Sequence, residues 1–422
     1  MKLIEKFTNQ SLFGLFLYLT LIIGFLYGEN LNFGSYYDWL NVYMPPIKDF
    51  SLNFKETLLS YDQYGQRHSP IYLIFLSFFL DLGFNFNFIR IIHLHLCLSL
   101  ILIFYRCLKL NFANVDKKYL QLLSLVLIIS PTFRSLSIWP DSRLPGLIFF
   151  SLSVYFFIKF TKFNSLKYAW FTFFSLIISS YISPNFSVFF FYYLFFLYQK
   201  LKLKDLFLIC IFTFFASIPA LYYIFILEIN FMFAGRAPAY DLNVSDSIIL
   251  SKFNFSDKVL IISSIILFHL LPIFYLKNIR IDFFNYIKKN LIKILALLLL
   301  LIVFFNYRLE FTGGGIFFQF SQMLFDNNYL FFFVCFFSIS FIMFISQVNL
   351  SNLFLCILII ASNIQHSIYH KYYEPLILII FFTLFKGIDV KHFFQNMKGL
   401  VYLYIFSLAY ILSRVFKLVY LV

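Results

Sequence analysis

Charged residues are scarce in this chain of 422 residues. Asp, Glu, Lys and Arg make up 12% of it, whereas a soluble globular domain carries about 25%. A soluble protein with so few charges could not cover its surface with polar groups. The composition therefore excludes soluble globular, disordered and collagen-like classes, and it excludes a nucleic-acid-binding domain despite the net charge of +14.

Cysteine and the glycine-rich motifs of cofactor sites are also rare. The five cysteines lie in or beside apolar runs and form no Cys-x-x-Cys pair, so we expect small core residues rather than disulfides or metal ligands. The sequence contains no dinucleotide fingerprint, no Gly-x-Ser-x-Gly and no haem pattern. Three glycines at 313–315 lack the lysine of a phosphate-binding loop.

Apolar residues are abundant, at 62% of the chain. A membrane-spanning helix needs roughly 20 of them. We therefore predict an all-α polytopic membrane protein, a single transmembrane domain over 1–422 with about thirteen transmembrane helices. The predicted spans are 11–27, 88–105, 119–137, 144–158, 168–183, 186–199, 206–227, 259–276, 291–305, 329–346, 353–367, 375–386 and 399–413.

The distribution of charge predicts the orientation. Lys and Arg collect in the loops of one side if the N-terminus is cytoplasmic and the apolar run 69–84 does not cross. This arrangement makes 28–87 a long first outer loop, with an irregular stretch followed by a re-entrant or interfacial helix over 69–84 that starts at Ser69-Pro70. We expect an integral protein of the bacterial inner membrane, with its chemistry facing the periplasm or outside.

The first outer loop contains a candidate catalytic acid. Asp38 lies among Tyr36, Tyr37 and Trp39, and Tyr43 follows five positions later. Aromatic neighbours near a membrane surface partly desolvate a carboxylate, which suits it to act as a general base. The alternative is an ordinary loop acid beside an interfacial aromatic belt.

Arginines in the outer segments are candidate phosphate ligands. Asp141 lies between Arg134 and Arg143, and two guanidinium groups near one acid suit an anionic phosphate or an ion-pair cluster. Arg90 opens the next span after 69–84, where it could bind phosphate or reach the lipid headgroups. The alternative for Asp141 is a salt bridge that caps the following helix.

Histidines could add a metal site or a polar rim. His366 and His370 are four residues apart and would share a helix face, so they could bind zinc with further ligands. With Lys371 they could instead contact sugar or phosphate, or belong to an interfacial belt. His93 and His95 point to different sides of their helix. The sequence requires no cofactor, and a divalent metal is left open.

The order of these motifs resembles the GT-C superfamily of polytopic glycosyltransferases, and it is similar to protein mannosyltransferases and bacterial aminoarabinose transferases. An acid and a tyrosine follow the first helix (Asp38, Tyr43), a proline-led helix follows them (His68-Ser69-Pro70), Arg90 opens the next span, and Asp141 is a second acid. The resemblance covers about residues 1–160. The chain departs from the family where Trp39 replaces the second acid of an acidic pair.

The resemblance implies a glycosyltransferase that takes a sugar from a polyprenyl-phosphate donor and gives it to a lipid, glycan or protein acceptor. Asp38 would be the general base, Arg90 would contact the donor phosphate, and Asp141 would be the second catalytic acid, which orients Arg134, the acceptor or a metal. The remaining candidate substrate-binding residues are Tyr43, His68, Arg134, Arg143, His366, His370 and Lys371.

Three other functions stay open. An O-antigen or polysaccharide polymerase or ligase also has many spans and an outer site, but it is typically marked by a large late outer loop rich in Arg and His. A flippase or transporter of lipid-linked substrates needs polar groups along a route through the membrane, and the spans offer few. A structural or assembly role requires no catalysis.

Overall fold

The computed structural model is helical throughout, with no β-strand among the residues that it describes. Those residues are 2–32, 34–64, 68–229, 254–308, 313–363, 367–388, 390–391, 393 and 397–420, without the side chains of 2–11 and 419–420. The expected all-α class is confirmed. The predicted single transmembrane domain divides into two compact units, Met1–Ala234 with Phe394–Val422 (unit 1) and Gly235–Phe393 (unit 2).

Unit 1 begins with twelve helices in chain order. They are α1 (Lys2–Leu26), α2 (Ser35–Asp38), α3 (Met44–Leu52), α4 (Phe54–Leu59), α5 (Ile71–Asp81), α6 (Phe86–Asn111), α7 (Lys117–Leu125), α8 (Pro131–Ile138), α9 (Arg143–Phe163), α10 (Leu166–Ile182), α11 (Phe189–Tyr198) and α12 (Leu203–Leu221). Shorter 3₁₀ and π turns lie at Tyr61–Tyr64, Val126–Ile129, Pro184–Phe186, Trp39–Tyr43 and Tyr222–Ile226.

Unit 2 contains α13 (Phe255–Leu270), α14 (Lys277–Val303), α15 (Gly315–Phe325), α16 (Tyr329–Val348), α17 (Leu350–Ala361) and α18 (Glu374–Thr383), with 3₁₀ turns at Leu271–Tyr275 and His370–Tyr372. The chain then returns to unit 1 for α19 (Met397–Tyr420).

Several helices are long and apolar enough to cross a membrane, so the chain is a membrane protein. Six segments meet both conditions: Phe86–Asn111, Arg143–Phe163, Leu203–Ile226, Phe255–Tyr275, Tyr329–Val348 and Met397–Leu418. A helix lies at each of the thirteen predicted positions. The others do not meet both conditions singly, so the count of thirteen crossings is not confirmed.

The predicted third span is bent rather than straight. α7 and α8 meet at 64° around a break at Ser130 and Pro131. Proline lacks the N–H that would continue the helix, and the Ser130 hydroxyl accepts the N–H of Phe133 at 3.0 Å, which starts a new helix. The predicted span over 119–137 thus consists of two short helices, which together are long and apolar enough to cross a membrane; α8 is buried along its whole length.

The predicted helix of the first outer loop is present as α5. It has 11 residues, about 16 Å at 1.5 Å per residue, which is too short for a hydrocarbon core of about 30 Å. Its location at the interface stays a prediction.

The start of the first outer loop is helical where the sequence predicts an irregular stretch. From α2 to α3 the backbone stays helical, and four side chains at a spacing of three or four residues bury one face. These are Trp39, Tyr43, Ile47 and Phe50, each 3% exposed or less. This amphipathic pattern explains the helix and fixes Asp38 at its first turn.

Close contact between α9 and α10 depends on Gly146. The Ser179 hydroxyl donates to the Gly146 carbonyl at 2.7 Å. A Cβ at Gly146 would lie 2.6 Å from the Cβ of Ser183 and 3.1 Å from the ring of Phe186. That ring is itself stacked on Phe150, at 5.0 Å between centroids, so it has no room to move.

We expect Gly146→Ala to lower the free energy of unfolding by about 1–3 kcal/mol, because the added methyl group overpacks this contact. The measurement is an unfolding titration of the purified protein in detergent micelles. Gly14→Ala is the matched control, since a Cβ there would meet only Leu125, at an ordinary 3.8 Å. Equal stability of the two variants would contradict the packing argument.

Candidate functional site

Tyr43 is the meeting point of the two acids that the sequence singled out. Its side chain is buried and its hydroxyl group hydrogen-bonds the Asp141 carboxylate. Burial raises the pKa of Tyr43 well above its usual value, and the charges of Asp141 and Asp38 raise it further, whereas Arg143 opposes them. Tyr43 therefore stays neutral, and its hydroxyl donates a hydrogen bond to the Asp141 carboxylate.

Asp141 is buried in the turn between α8 and α9 and is fully engaged. One of its carboxylate oxygens accepts the backbone N–H of Arg143 at 2.8 Å, and the other lies 3.8 Å from the Arg143 guanidinium. Only 3% of Asp141 is exposed. The alternative interpretation of this acid, a salt bridge, is thus present in the structure. Tyr43 also hydrogen-bonds the same carboxylate.

His68 completes the group on the other side of Arg143. Nη2 of Arg143 donates to Nε2 of His68 at 3.1 Å. Because a guanidinium only donates, Nε2 must be the acceptor and the ring carries its proton on Nδ1. The His68 ring also stacks on Tyr43 at 6.0 Å between centroids. We call Asp38, Tyr43, His68, Asp141 and Arg143 the two-acid cluster.

The Arg90 guanidinium lies over the ring of Trp139, directly after α8. Its guanidinium carbon is 3.8 Å from the ring centroid of Trp139 and 4.6 Å from that of Phe25, a cation–π arrangement. Nε of Arg90 donates to the Ile138 carbonyl at 3.2 Å. Nη2 has no hydrogen-bond partner among the described residues.

The ring of Tyr36 connects the Arg90 arrangement with Asp38. It lies 4.7 Å from the Trp139 ring and belongs to α2, the same short helix as Asp38. The structure thus brings Asp38, Arg90 and Asp141 into one region of unit 1, through Tyr36, Tyr43 and Trp139.

Arg134 does not contribute to this group in the expected way. All three of its guanidinium nitrogens donate to α1 or to the segment just after it: Nε and Nη2 to the Glu29 carboxylate at 2.6 and 2.5 Å, Nη1 to the Thr20 hydroxyl, and Nη2 also to the Thr20 carbonyl. The roles predicted for Arg134, a phosphate ligand oriented by Asp141, are corrected to a buried structural ion pair.

Glu29 is a residue that the sequence argument missed. Besides binding Arg134, its carbonyl accepts the indole N–H of Trp139 at 2.9 Å. A single acid after the first span carries no motif, so no sequence signal identified it. It fixes both the start of α8 and the aromatic ring that supports Arg90.

His93 and His95 lie on different sides of α6, as expected. His93 is fully buried, with Nε2 donating to the Leu136 carbonyl at 2.7 Å and Nδ1 accepting from the Tyr72 hydroxyl at 2.5 Å. His95 is exposed and contacts the Tyr18 hydroxyl at 3.1 Å. His93 therefore joins α5, α6 and α8, a role that the sequence did not predict.

The remaining predicted residues belong to unit 2. His370 is buried with its ring 4.6 Å from that of His269, and Lys371 lies 5.5 Å from the ring of Tyr369. His366 lies outside the described residues. Over the part of the chain that the structure describes, no group of three His, Cys, Asp or Glu side chains could hold a metal ion.

The glycine run of unit 2 packs against backbone. The N–H of Gly314 donates to the Ile368 carbonyl at 2.9 Å. A Cβ at Gly313 would lie 2.5 Å from that same oxygen, and the φ of +85° at Gly313 favours glycine. These glycines allow close packing, in agreement with the sequence argument against a phosphate-binding loop.

Two buried polar residues in unit 2 were also missed. Asp257 accepts the N–H of Asn306 at 2.8 Å, and the Lys258 ammonium group donates to the Asn363 carbonyl. Both are 3% exposed or less and occupy the first turn of α13.

Comparison with known proteins does not assign this chain to a family. The chain matches no protein-family model, no curated protein and no solved structure. The case for a function therefore depends on the arrangement of the residues themselves.

We expect Glu29→Ala to destabilise the protein by about 3–5 kcal/mol, because it leaves the Arg134 side chain, only 10% exposed, as an uncompensated buried charge. The measurement is the free energy of unfolding in detergent. The double variant Glu29→Leu with Arg134→Met removes both charges and should recover most of the loss. An unchanged stability of Glu29→Ala would contradict the structural role.

Proposed function

We propose that this membrane protein is a glycosyltransferase of the GT-C type, which moves a sugar from a polyprenyl-phosphate donor to a lipid, glycan or protein acceptor. The observation that carries the proposal is the two-acid cluster. The Asp141 carboxylate accepts a hydrogen bond from the neutral Tyr43, whose pKa the charge of Asp38 also raises, and Arg143 and His68 lie beside them. Sugar transfer needs a base for the acceptor hydroxyl and cations for the departing phosphate.

The two acids differ in how much freedom they have. Asp141 is buried and holds Tyr43 and Arg143, so its role in the proposal is to position these groups. Asp38 is half-buried at the first turn of its helix and remains accessible to an acceptor. Asp38 is therefore the proposed general base, which takes the proton, and Asp141 is the proposed positioning acid.

In the proposed reaction the acceptor hydroxyl gives its proton to the Asp38 carboxylate as its oxygen bonds to the anomeric carbon of the sugar. The bond between that carbon and the donor phosphate oxygen breaks, and the electron pair leaves with the phosphate. Arg90 is the proposed phosphate ligand, because its Nη2 has a free donor among the described residues.

The surroundings of the cluster are compatible with a lipid-linked donor. Helix α5 is apolar and displays Phe75 and Phe78, which are 46% and 55% exposed. Tyr72 of the same helix donates a hydrogen bond to His93 of α6. A polyprenyl chain needs such an apolar surface. With the N-terminus cytoplasmic, the proposal places the cluster on the non-cytoplasmic side of a bacterial inner membrane.

A polysaccharide polymerase or ligase is the second candidate. The observation that favours it is the contact between the rings of His269 and His370 in unit 2. Lys371 follows His370 directly in the chain. Such an enzyme would use a pyrophosphate-linked donor, so the two functions are separated by the donor that the purified protein accepts. A transporter would transfer no sugar from either donor.

We expect Asp38→Asn to lower the rate of sugar transfer by about 10²–10⁴-fold, because the amide cannot take the acceptor proton. The assay uses purified protein in lipid nanodiscs, a panel of radiolabelled polyprenyl-phosphate sugars and a membrane extract as acceptor. Glu56→Gln, an exposed acid of the same outer segment, is the matched control and should retain full activity. Retained transfer by Asp38→Asn would rule out its role as the base.

We expect Arg90→Gln to raise the KM for the donor roughly ten- to a hundredfold, because a hydrogen bond from a charged donor to phosphate is worth about 1.5–3 kcal/mol. The same nanodisc assay measures KM and kcat against donor concentration. Arg106→Gln, an exposed arginine at the other end of α6, should leave KM unchanged. An unchanged KM in Arg90→Gln would remove Arg90 from the donor site.

A further inference from the structure

Unit 2 contains a groove that the proposed transfer reaction does not use. Its volume is about 750 Å³, and its walls are the first half of α14, the end of α16 and the turn at Gly387 and Ile388. Pockets of 300–1,000 Å³ are typical of small-molecule sites.

The α14 wall is a polar stripe. Asn278, Asp282, Asn285 and Lys289 follow one another at intervals of four, three and four residues, so they lie along one face of the helix. Lys277 and Gln347 add two further donors to the lining. Ammonium and amide groups thus outnumber the single carboxylate, so the lining favours an anion. A hydroxyl group on the same molecule could donate a hydrogen bond to Asp282.

The helix that forms this wall changes character at a kink. Asn290 has a non-helical backbone with φ −114° and ψ 16°. Before the kink, five charged side chains in 277–289 are exposed, four of them basic: Lys277, Arg280, Lys288 and Lys289, against Asp282. After the kink the exposed side chains are mainly apolar, such as Ile292 and Leu299. A basic segment joined to an apolar one is typical of a helix that meets the membrane surface.

Apolar side chains also accompany the basic ones. Ile281 and Phe284 are 45% and 47% exposed on the segment before the kink, and Phe344, Val348 and Ile388 line the groove itself. A free phosphate ion would leave these apolar surfaces exposed to water, whereas the glycerol and acyl chains of a phospholipid would cover them.

We propose that this groove binds the headgroup of an anionic phospholipid. Lys277 and Lys289 bind its phosphate, Asn278, Asn285 and Gln347 donate to its remaining oxygens, and Asp282 accepts from a headgroup hydroxyl. The positive-inside rule places this basic segment on the cytoplasmic side, where anionic lipids attract Lys and Arg. The inference does not depend on the proposed transferase activity.

The test titrates purified, delipidated full-length protein with phosphatidylglycerol and counts bound lipids by native mass spectrometry. We expect Lys277→Gln with Lys289→Gln to lower the affinity for phosphatidylglycerol about tenfold or more, and Lys277→Arg with Lys289→Arg to retain it. The matched control is Lys202→Gln with Lys204→Gln, which removes two exposed lysines from the start of α12 and should change the affinity less than twofold.

Four results would overturn the proposal. One is an unchanged affinity in the Lys277 and Lys289 glutamine variant, and another is an equal loss in the control, which would indicate diffuse electrostatic attraction. The third is equal binding of phosphatidylcholine. Displacement of phosphatidylglycerol by equimolar inorganic phosphate would likewise exclude the lipid in favour of a free anion.

Discussion

A charge buried among apolar side chains has to be paired, because an isolated ion there costs several kcal/mol. This constraint organises the polar end of unit 1. The buried Arg134 binds the partly buried Glu29, and Arg143 binds Asp141, both of which are buried. The first pair joins the end of α1 to α8, and the second closes the turn into α9. The position of Trp139 follows from these two ion pairs, since it lies on the backbone between Arg134 and Asp141.

The same constraint separates the two acids chemically. The Asp141 carboxylate accepts hydrogen bonds from the backbone N–H of Arg143 and the hydroxyl of Tyr43, and it lies beside the Arg143 guanidinium. A proton taken from an acceptor would weaken all three contacts at once. Asp38 raises the pKa of Tyr43 through its charge, and its side chain is half-buried rather than buried. A general base has to be reached by the acceptor hydroxyl, so the proposed division of roles gives the proton transfer to Asp38.

The positions of the helices could be predicted from the sequence, because runs of apolar residues are visible without any knowledge of contacts. Their lengths and bends could not. The break between α7 and α8 depends on a serine cap and on Pro131, and the helix at 35–52 depends on the spacing of Trp39, Tyr43, Ile47 and Phe50. That spacing was present in the sequence, but its aromatic residues fitted an interfacial belt equally well.

The site shows a sharper limit. Arg134 precedes Asp141 by seven positions, which suggested that the two would pair, yet Arg134 pairs with Glu29, 105 positions away. In a chain with few charged residues, each buried ion takes whichever opposite charge the fold brings within reach, so proximity in sequence is a poor guide to pairing. The consequence bears on function. Of the arginines first considered as phosphate ligands, Arg134 is committed to Glu29 and Arg143 to Asp141 and His68. Arg90 instead rests on the ring of Trp139, and although its Nε donates to the Ile138 carbonyl, its Nη2 has no hydrogen-bond partner among the described residues.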